Sequence, residues 1–168
     1  ANTLSAISAG AQEVQCTITG VGERAGNAAL EEIVMGILVR KNNLDAFTGI
    51  DSRLLTNTCD MVSKFANSPI AKNKPIVGEN AFAHCSGMHQ HGVLSDRENY
   101  EIMDPADLGI KASGIIIGKY SGKHGIKHVL ENANINLDDQ ELNKLMKQVK
   151  LVDEKKILSV KELIGLIN

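Results

Sequence analysis

The sequence predicts an α/β protein that is mostly α in the residues present. Three observations predict it. Val14, Cys16 and Ile18 alternate like a strand within residues 11–19, a glycine-rich turn follows, and an apolar helical pattern starts directly after it. Strand, turn and helix in that order make one unit of a parallel α/β fold. Beyond that unit only residues 114–118 read as a further short strand, and helical patterns fill most of the rest. The chain also opens in a helical pattern just ahead of its one convincing strand. A parallel strand needs parallel neighbours, so the expectation is a piece cut from something larger.

Each element has its own warrant. Residues 1–10 read as a helix with Leu4 and Ile7 on one face and Gly10 as the stop. Residues 28–39 form a helical pattern with Leu30, Ile33, Val34, Ile37 and Leu38 nearly all round, which implies burial on more than one side. Residues 41–47 are a polar break. Residues 54–65 are a second amphipathic helix, with Leu55, Cys59 and Val62 at helical spacing. Pro69 and Pro75 mark 68–75 as a loop and a candidate domain boundary. Residues 80–94 are apolar, rich in His, and predicted helical. Asp104 reads as an N-cap with Pro105 at the first helical position. Asp138 to Glu141 reads as a capping box ahead of a stripe of Leu142, Leu145, Met146, Val149 and Val152. Ser159 to Glu162 reads as another, starting a last helix through Leu163 and Leu166.

Composition narrows the function classes. Apolar residues make up 43% of the 168, enough for a core. A net charge of −2 and only 3% aromatics leave no footprint for nucleic acid. No apolar run reaches the length of a membrane span and no signal peptide opens the chain. Cys16, Cys59 and Cys85 are odd in number, widely spaced and free of a C-x-x-C pair. That pattern fits reduced thiols in a cytoplasmic protein.

The turn Gly20-Val21-Gly22-Glu23-Arg24-Ala25-Gly26-Asn27 is the first candidate site. In parallel α/β folds ligands bind at the turn after the strand. Glycines allow close backbone approach, and the helix start offers unpaired N–H groups. The spacing is wrong for a dinucleotide fingerprint, and no Gly-Lys-Ser/Thr of a P-loop is present. The bland alternative is a tight turn with a structural ion pair.

Histidines form the second candidate group: His84, His89, His91, His124 and His128. On the expected helix His84 and His91 share a face, whereas His89 and His91 diverge. A zinc site lacks Cys and carboxylate partners at zinc spacing. His124 and His128 are four apart without the Glu of H-E-x-x-H, so a solvated helix face is the better reading. Ser121 reads as a plain N-cap for the helix that carries them, ahead of an anion-binding role.

Three segments together resemble one family. Residues 20–32, from Gly20 through Asn27 to Glu32, look like the closing barrel turn of 2-isopropylmalate synthase and its relatives, the homocitrate and citramalate synthases. Residues 75–90, through His84, Ser86 and His89, resemble the first subdomain of that family, and residues 118–124 resemble its second. The segments occur in family order and span essentially the whole chain. Three positions depart from the pattern: Thr19 stands where Asn is usual, His91 where Asp is usual, and Tyr120 where His is usual.

The resemblance implies the last strand and helices of a (β/α)8 TIM barrel followed by two small helical subdomains. The implied division is 1–68 for the end of the barrel, 69–112 for subdomain I and 113–168 for subdomain II. The implied reaction condenses acetyl-CoA with a 2-keto acid at a divalent metal (Mn, Mg or Zn). The run from Ala83-His84 to Asn99-Tyr100-Glu101-Ile102-Met103 resembles isopropylmalate synthases more than homocitrate synthases, which implies 2-ketoisovalerate, hence 2-isopropylmalate and leucine biosynthesis, with homocitrate or citramalate synthesis as the alternative. Carried over by position, Asn27 is the metal residue and His89 the acid/base, reaching the site of a partner subunit. Gly22, Glu23, Arg24 and Gly26 shape the loop. The family's remaining metal ligands have no counterpart here, so activity is expected only with the missing barrel half or a homodimer partner. A non-catalytic partner or regulatory subunit is the rival expectation.

Overall fold

The computed structural model describes residues 1–110 and 114–167. The expected boundary at 112/113 lies outside the described residues. The chain divides into two compact units, Ala1–Ala81 with Met103–Ala112, and Phe82–Ile102 with Ser113–Asn168. Among the described residues the fold is mostly helical, with one two-stranded parallel pair.

The first unit opens with α1 (Asn2–Ser8), which Gly10 ends at a φ of +104°. Residues 11–19 do not form the expected strand. Only Thr17 pairs, in a parallel bridge with Ala29, before a 3-10 turn over Ile18–Gly20. A strand is defined by its ladder partners, and no second strand of this unit lies beside 11–19 among the described residues. Helix α2 (Leu30–Val39) buries Ile33, Val34, Met35 and Ile37, as its all-round apolar pattern implies. Asp51 caps the 3-10 turn Ser52–Leu54, which runs into α3 (Leu55–Phe65). Exposed Asp51 takes a paired contact from Arg53, with Nε at 2.9 Å and Nη2 at 2.8 Å, which holds its carboxyl below the usual value. The hydroxyls of Ser52 and Thr56 donate to the carbonyls of Asp107 and Leu108, tying in the 3-10 turn Pro105–Leu108. Asp104 caps that turn and Pro105 opens it.

The second unit pairs β1 (Ala83–His84) with β2 (Gly114–Ile115) in the register Ala83 to Gly114. The helix expected over 80–94 starts later, as α4 (Gly87–Ser95). Ser86 is its N-cap, accepting from the His89 N–H, and the residues before it are committed to the β pair. Helix α5 (Lys123–Asn132) starts from Gly122, so Ser121 is not its cap. Helices α6 (Asp139–Leu151) and α7 (Val160–Gly165) begin at complete capping boxes, Asp138 with Glu141 and Ser159 with Glu162. Their stripes meet α5 and the bridge Ile117–Leu158 in one aliphatic core of Ile117, Ile126, Leu130, Leu142, Leu145, Val149, Leu158 and Leu163.

Candidate functional site

The glycine corner is a closed loop. At its neck the Thr17 N–H donates to Ala28 O and the Leu30 N–H to Thr17 O, both at 2.9 Å. Farther out the Asn27 N–H donates to Gly20 O at 2.8 Å, and the Gly26 N–H to Glu23 O at 3.0 Å. Thr19, Gly20, Arg24 and Gly26 all have positive φ. At Gly20 and Gly26 glycine is required twice over, by the left-handed backbone and by space. A Cβ on Gly20 would stand 2.8 Å from Asn27 O, and one on Gly26 would collide with Gly20 O.

The corner holds Asn27 at the surface. Its Oδ1 accepts from the next backbone N–H, Ala28, at 2.9 Å, which fixes the carboxamide. A carbonyl oxygen has a second lone pair, so Asn27 Oδ1 keeps one lone pair beyond that bond. Gly22, Glu23 and Arg24 are exposed along the outer arm of the same loop.

Beneath the corner lies a charge cluster that the sequence reading missed. Glu31 is 0% exposed. Its Oε2 accepts from the Thr19 N–H at 3.0 Å and its Oε1 stands 3.2 Å from Lys74 Nζ. Lys74 also reaches Glu32 Oε1 at 2.8 Å. Burial works against the Lys74 charge, but the bonds to Glu32 and Glu31 outweigh it and raise its pKa above the usual lysine value. Burial, and then the Glu31 charge, push the Cys59 thiol up to about 12, so it is not a nucleophile at neutral pH. Periodicity carried a clue to Glu31: it precedes Val34 and Met35 by three and four residues, on the buried side of α2. Ile18, Leu30, Leu54, Leu55 and Thr58 help line an open apolar recess of about 260 Å³ beside the cluster.

His89 lies in the other unit, on the first turn of α4. His89 is exposed, its ring packs against Tyr100 at a 36° tilt with centroids 4.5 Å apart, and His84 meets it edge-on at 6.5 Å. His84 is buried in β1, so it does not share a helical face with His91. Its Nε2 contacts Glu101 Oε1 at 2.9 Å, and Arg97 Nε stands 3.0 Å from the other Glu101 oxygen. His89 and His91 diverge as expected of a helix, since His91 packs instead against His124, centroids 4.7 Å apart and rings tilted by 39°. His128 contacts the Asn132 amide at 3.0 Å.

Gln90, fully buried, anchors the helix that carries His89. The two hydrogens on its Nε2 are shared among His84 O, Ile116 O and Ser121 Oγ at 3.0–3.2 Å, and its Oε1 accepts from the Gly122 N–H at 3.3 Å. A side chain at Gly125 would occupy the place of this amide. Ser121 joins the same network, donating to Cys85 O at 3.0 Å and accepting from the Gly118 N–H.

No group of three His, Cys, Asp or Glu side chains stands close enough to hold a metal ion among the described residues. A hard divalent cation takes several oxygen donors, and the Asn27 carboxamide supplies a single one. Among the described residues no helix is long and apolar enough to cross a membrane. The three cysteines are unbridged.

Residues 1–62 match the family described as HMGL-like, and residues 76–157 match the family described as homocitrate synthase post-HMGL domain-like. The chain is 48% identical over 158 residues to the 2-isopropylmalate synthase of Acidimicrobium ferrooxidans, covering 94% of this chain and 31% of that protein. It is 49% identical over 168 residues to the enzyme of that name from Acetivibrio thermocellus, covering 99% and 33%. It is 45% identical over 156 residues to the one from Pyrococcus furiosus, covering 93% and 31%. The chain spans about a third of the length of the curated relatives it matches.

Proposed function

Because this chain belongs to the 2-isopropylmalate synthase family, we propose that it is the C-terminal part of the catalytic region of an acyltransferase condensing acetyl-CoA with a 2-keto acid. The keto acid is 2-ketoisovalerate and the product 2-isopropylmalate. Residues 1–68 close a barrel, and 69–112 and 113–168 form the two subdomains. The whole enzyme works in the cytoplasm, and this part is inactive without the rest of the barrel.

The observation that carries this reading is the corner, which sets four residues at positive φ around a single exposed carboxamide, Asn27. A divalent metal, when bound, supplies Lewis acidity at the ketone oxygen of the keto acid. Asn27 offers one neutral oxygen to it and adds no negative charge. Glu23 and Arg24 shape the outer arm of the loop, and Gly22 and Gly26 let it close.

His89 is the acid/base group. An imidazole gains or loses a proton near neutral pH, and this ring is exposed and braced by Tyr100. The net reaction moves a proton off the acetyl methyl group, forms a carbon–carbon bond to the keto carbon, and hydrolyses the thioester to release CoA. His89 holds or delivers a proton in that sequence, in the active site of a partner subunit.

CoA release by the full-length protein tests the reading, with 2-ketoisovalerate, pyruvate and 2-ketoglutarate compared. The largest kcat/KM is expected for 2-ketoisovalerate. His89→Ala lowers kcat by about 100-fold or more, the scale of lost proton transfer, with KM little changed. Unchanged turnover would remove His89 from the chemistry, and turnover by residues 1–168 alone would refute the dependence on the rest of the barrel.

A further inference from the structure

Glu31 sits on α2 among the buried side chains Ile33, Val34, Met35 and Ile37, with no solvent access. Burying an ionised carboxylate is costly unless charge and hydrogen bonds compensate. Its neighbour Glu32 lies in the same first turn with its side chain 46% exposed, and gains the same favourable helix-end interaction without that cost. The burial of Glu31 therefore serves something other than the helix.

The partner of Glu31 identifies what it serves. Oε2 accepts from the Thr19 N–H at 3.0 Å. Thr19 has φ +59°, an unfavourable region for a β-branched residue, and Gly20 follows at +73°. That left-handed pair reverses the chain so that Gly20 O meets the Asn27 N–H at 2.8 Å. Two hydrogen bonds and one peptide link thus join the Glu31 carboxylate to the Asn27 backbone. Lys74 supplies the counter-charge at 3.2 Å, from a loop whose own backbone is pinned by Lys74 N to Ala71 O and Gly78 N to Lys74 O.

We propose that Glu31, balanced by Lys74, is a positioning residue for Asn27. It holds the Thr19–Gly20 corner in its left-handed form, so the carboxamide is set before a cation arrives. Glu31 reaches no solvent and is neither a ligand nor a base. It acts through backbone alone. This rests on the assignment of Asn27 as a metal residue.

The test is calorimetric titration of the full-length protein with Mn2+ alone, on the parent, Asn27→Ala, Glu31→Ala, Glu31→Gln and the double variant Asn27→Ala/Glu31→Gln. Asn27→Ala weakens Mn2+ binding at least tenfold. Glu31→Ala weakens it by about 10- to 100-fold, the scale for groups that orient a ligand. Glu31→Gln keeps an acceptor for Thr19 but turns an amide towards Lys74, so its loss is smaller. If Glu31→Ala fails to fold, Glu31→Gln decides. Added to Asn27→Ala, Glu31→Gln costs nothing further, a coupling that a purely structural role would not produce. Parent-like affinity in both Glu31 variants while Asn27→Ala is weakened overturns the positioning role and leaves Asn27 standing. A full additional loss in the double variant also overturns it. Parent-like affinity in Asn27→Ala removes the metal assignment itself, and the role of Glu31 with it.

Discussion

Residues 17–31 and residues 138–165 are held in shape by different means. In the second stretch nearly every terminal constraint is local. Asp138 and Glu141 cap one helix and Ser159 and Glu162 the next, each pair three residues apart. The rest is an aliphatic stripe closing one core. In the first stretch the constraints are polar, span up to a dozen residues, and include one charge from outside it. Glu31 reaches back to Thr19, Lys74 comes from a separate loop, and Thr19, Gly20, Arg24 and Gly26 take positive φ. Positive φ is strain-free for the two glycines but strained at Thr19 and Arg24, and such strain persists only where the surroundings over-determine it. The capped helices rest on bonds three residues apart, whereas the corner rests on residues at positive φ and a buried charge pair.

The largest expected stability effect tests the stable side of that contrast. Leu145→Ala or Leu163→Ala empties a fully enclosed position and should cost about 2–5 kcal/mol, read as a fall in the urea midpoint. A smaller loss would mean that this core is looser than its burial suggests. Gly26→Ala is next. It forces a side chain into a left-handed residue and against Gly20 O, and should cost about 1–3 kcal/mol by the same measurement. If it costs less than a helix cap, the corner does not require glycine at 26 and the contrast fails. Asp138→Ala and Ser159→Ala should each cost about 1 kcal/mol and leave Mn2+ affinity unchanged.

The smallest effect is in pH. The bond from Lys156, and then those from Ser159, hold exposed Glu162 at about 2 against an ordinary 4.5. A carboxyl with a lowered folded pKa stabilises the fold above its unfolded value, and that help fades as pH falls towards the folded one. Helicity of the parent should therefore decline from pH 4.5 to pH 2 more steeply than that of Glu162→Gln, measured by circular dichroism. Equal slopes would place the acid response elsewhere.

The same contrast explains what was legible. Both capping boxes, the Asp104-Pro105 start and the stripe from Leu142 to Val149 are short-range patterns, and the structure has them where the sequence puts them. The turn at 20–27 was legible as a loop because its glycines have few other uses. Strand 11–19 was not realised, since alternation states a preference and only a neighbour makes a ladder. The start of α4 was misplaced because Ala81, Phe82 and Ala83 continue an apolar run across β1, and the stronger mark was Ser86 three residues before His89. Ser121 looked like a cap and is a buried junction to Gln90 and Cys85, a role set by residues far away in sequence. Glu31 looked like an ordinary first-turn acid, and only its phase among the buried residues of α2 hinted otherwise.

The central claim is that the corner exists to offer Asn27 to a divalent cation. The most direct measurement is an anomalous-scattering map from crystals of the full-length protein grown with Mn2+. The account predicts a peak at coordination distance, roughly 2.0–2.6 Å, from Asn27 Oδ1, with Thr19 still bonded to Glu31. A well-occupied Mn2+ elsewhere, with Asn27 facing only solvent, would contradict it.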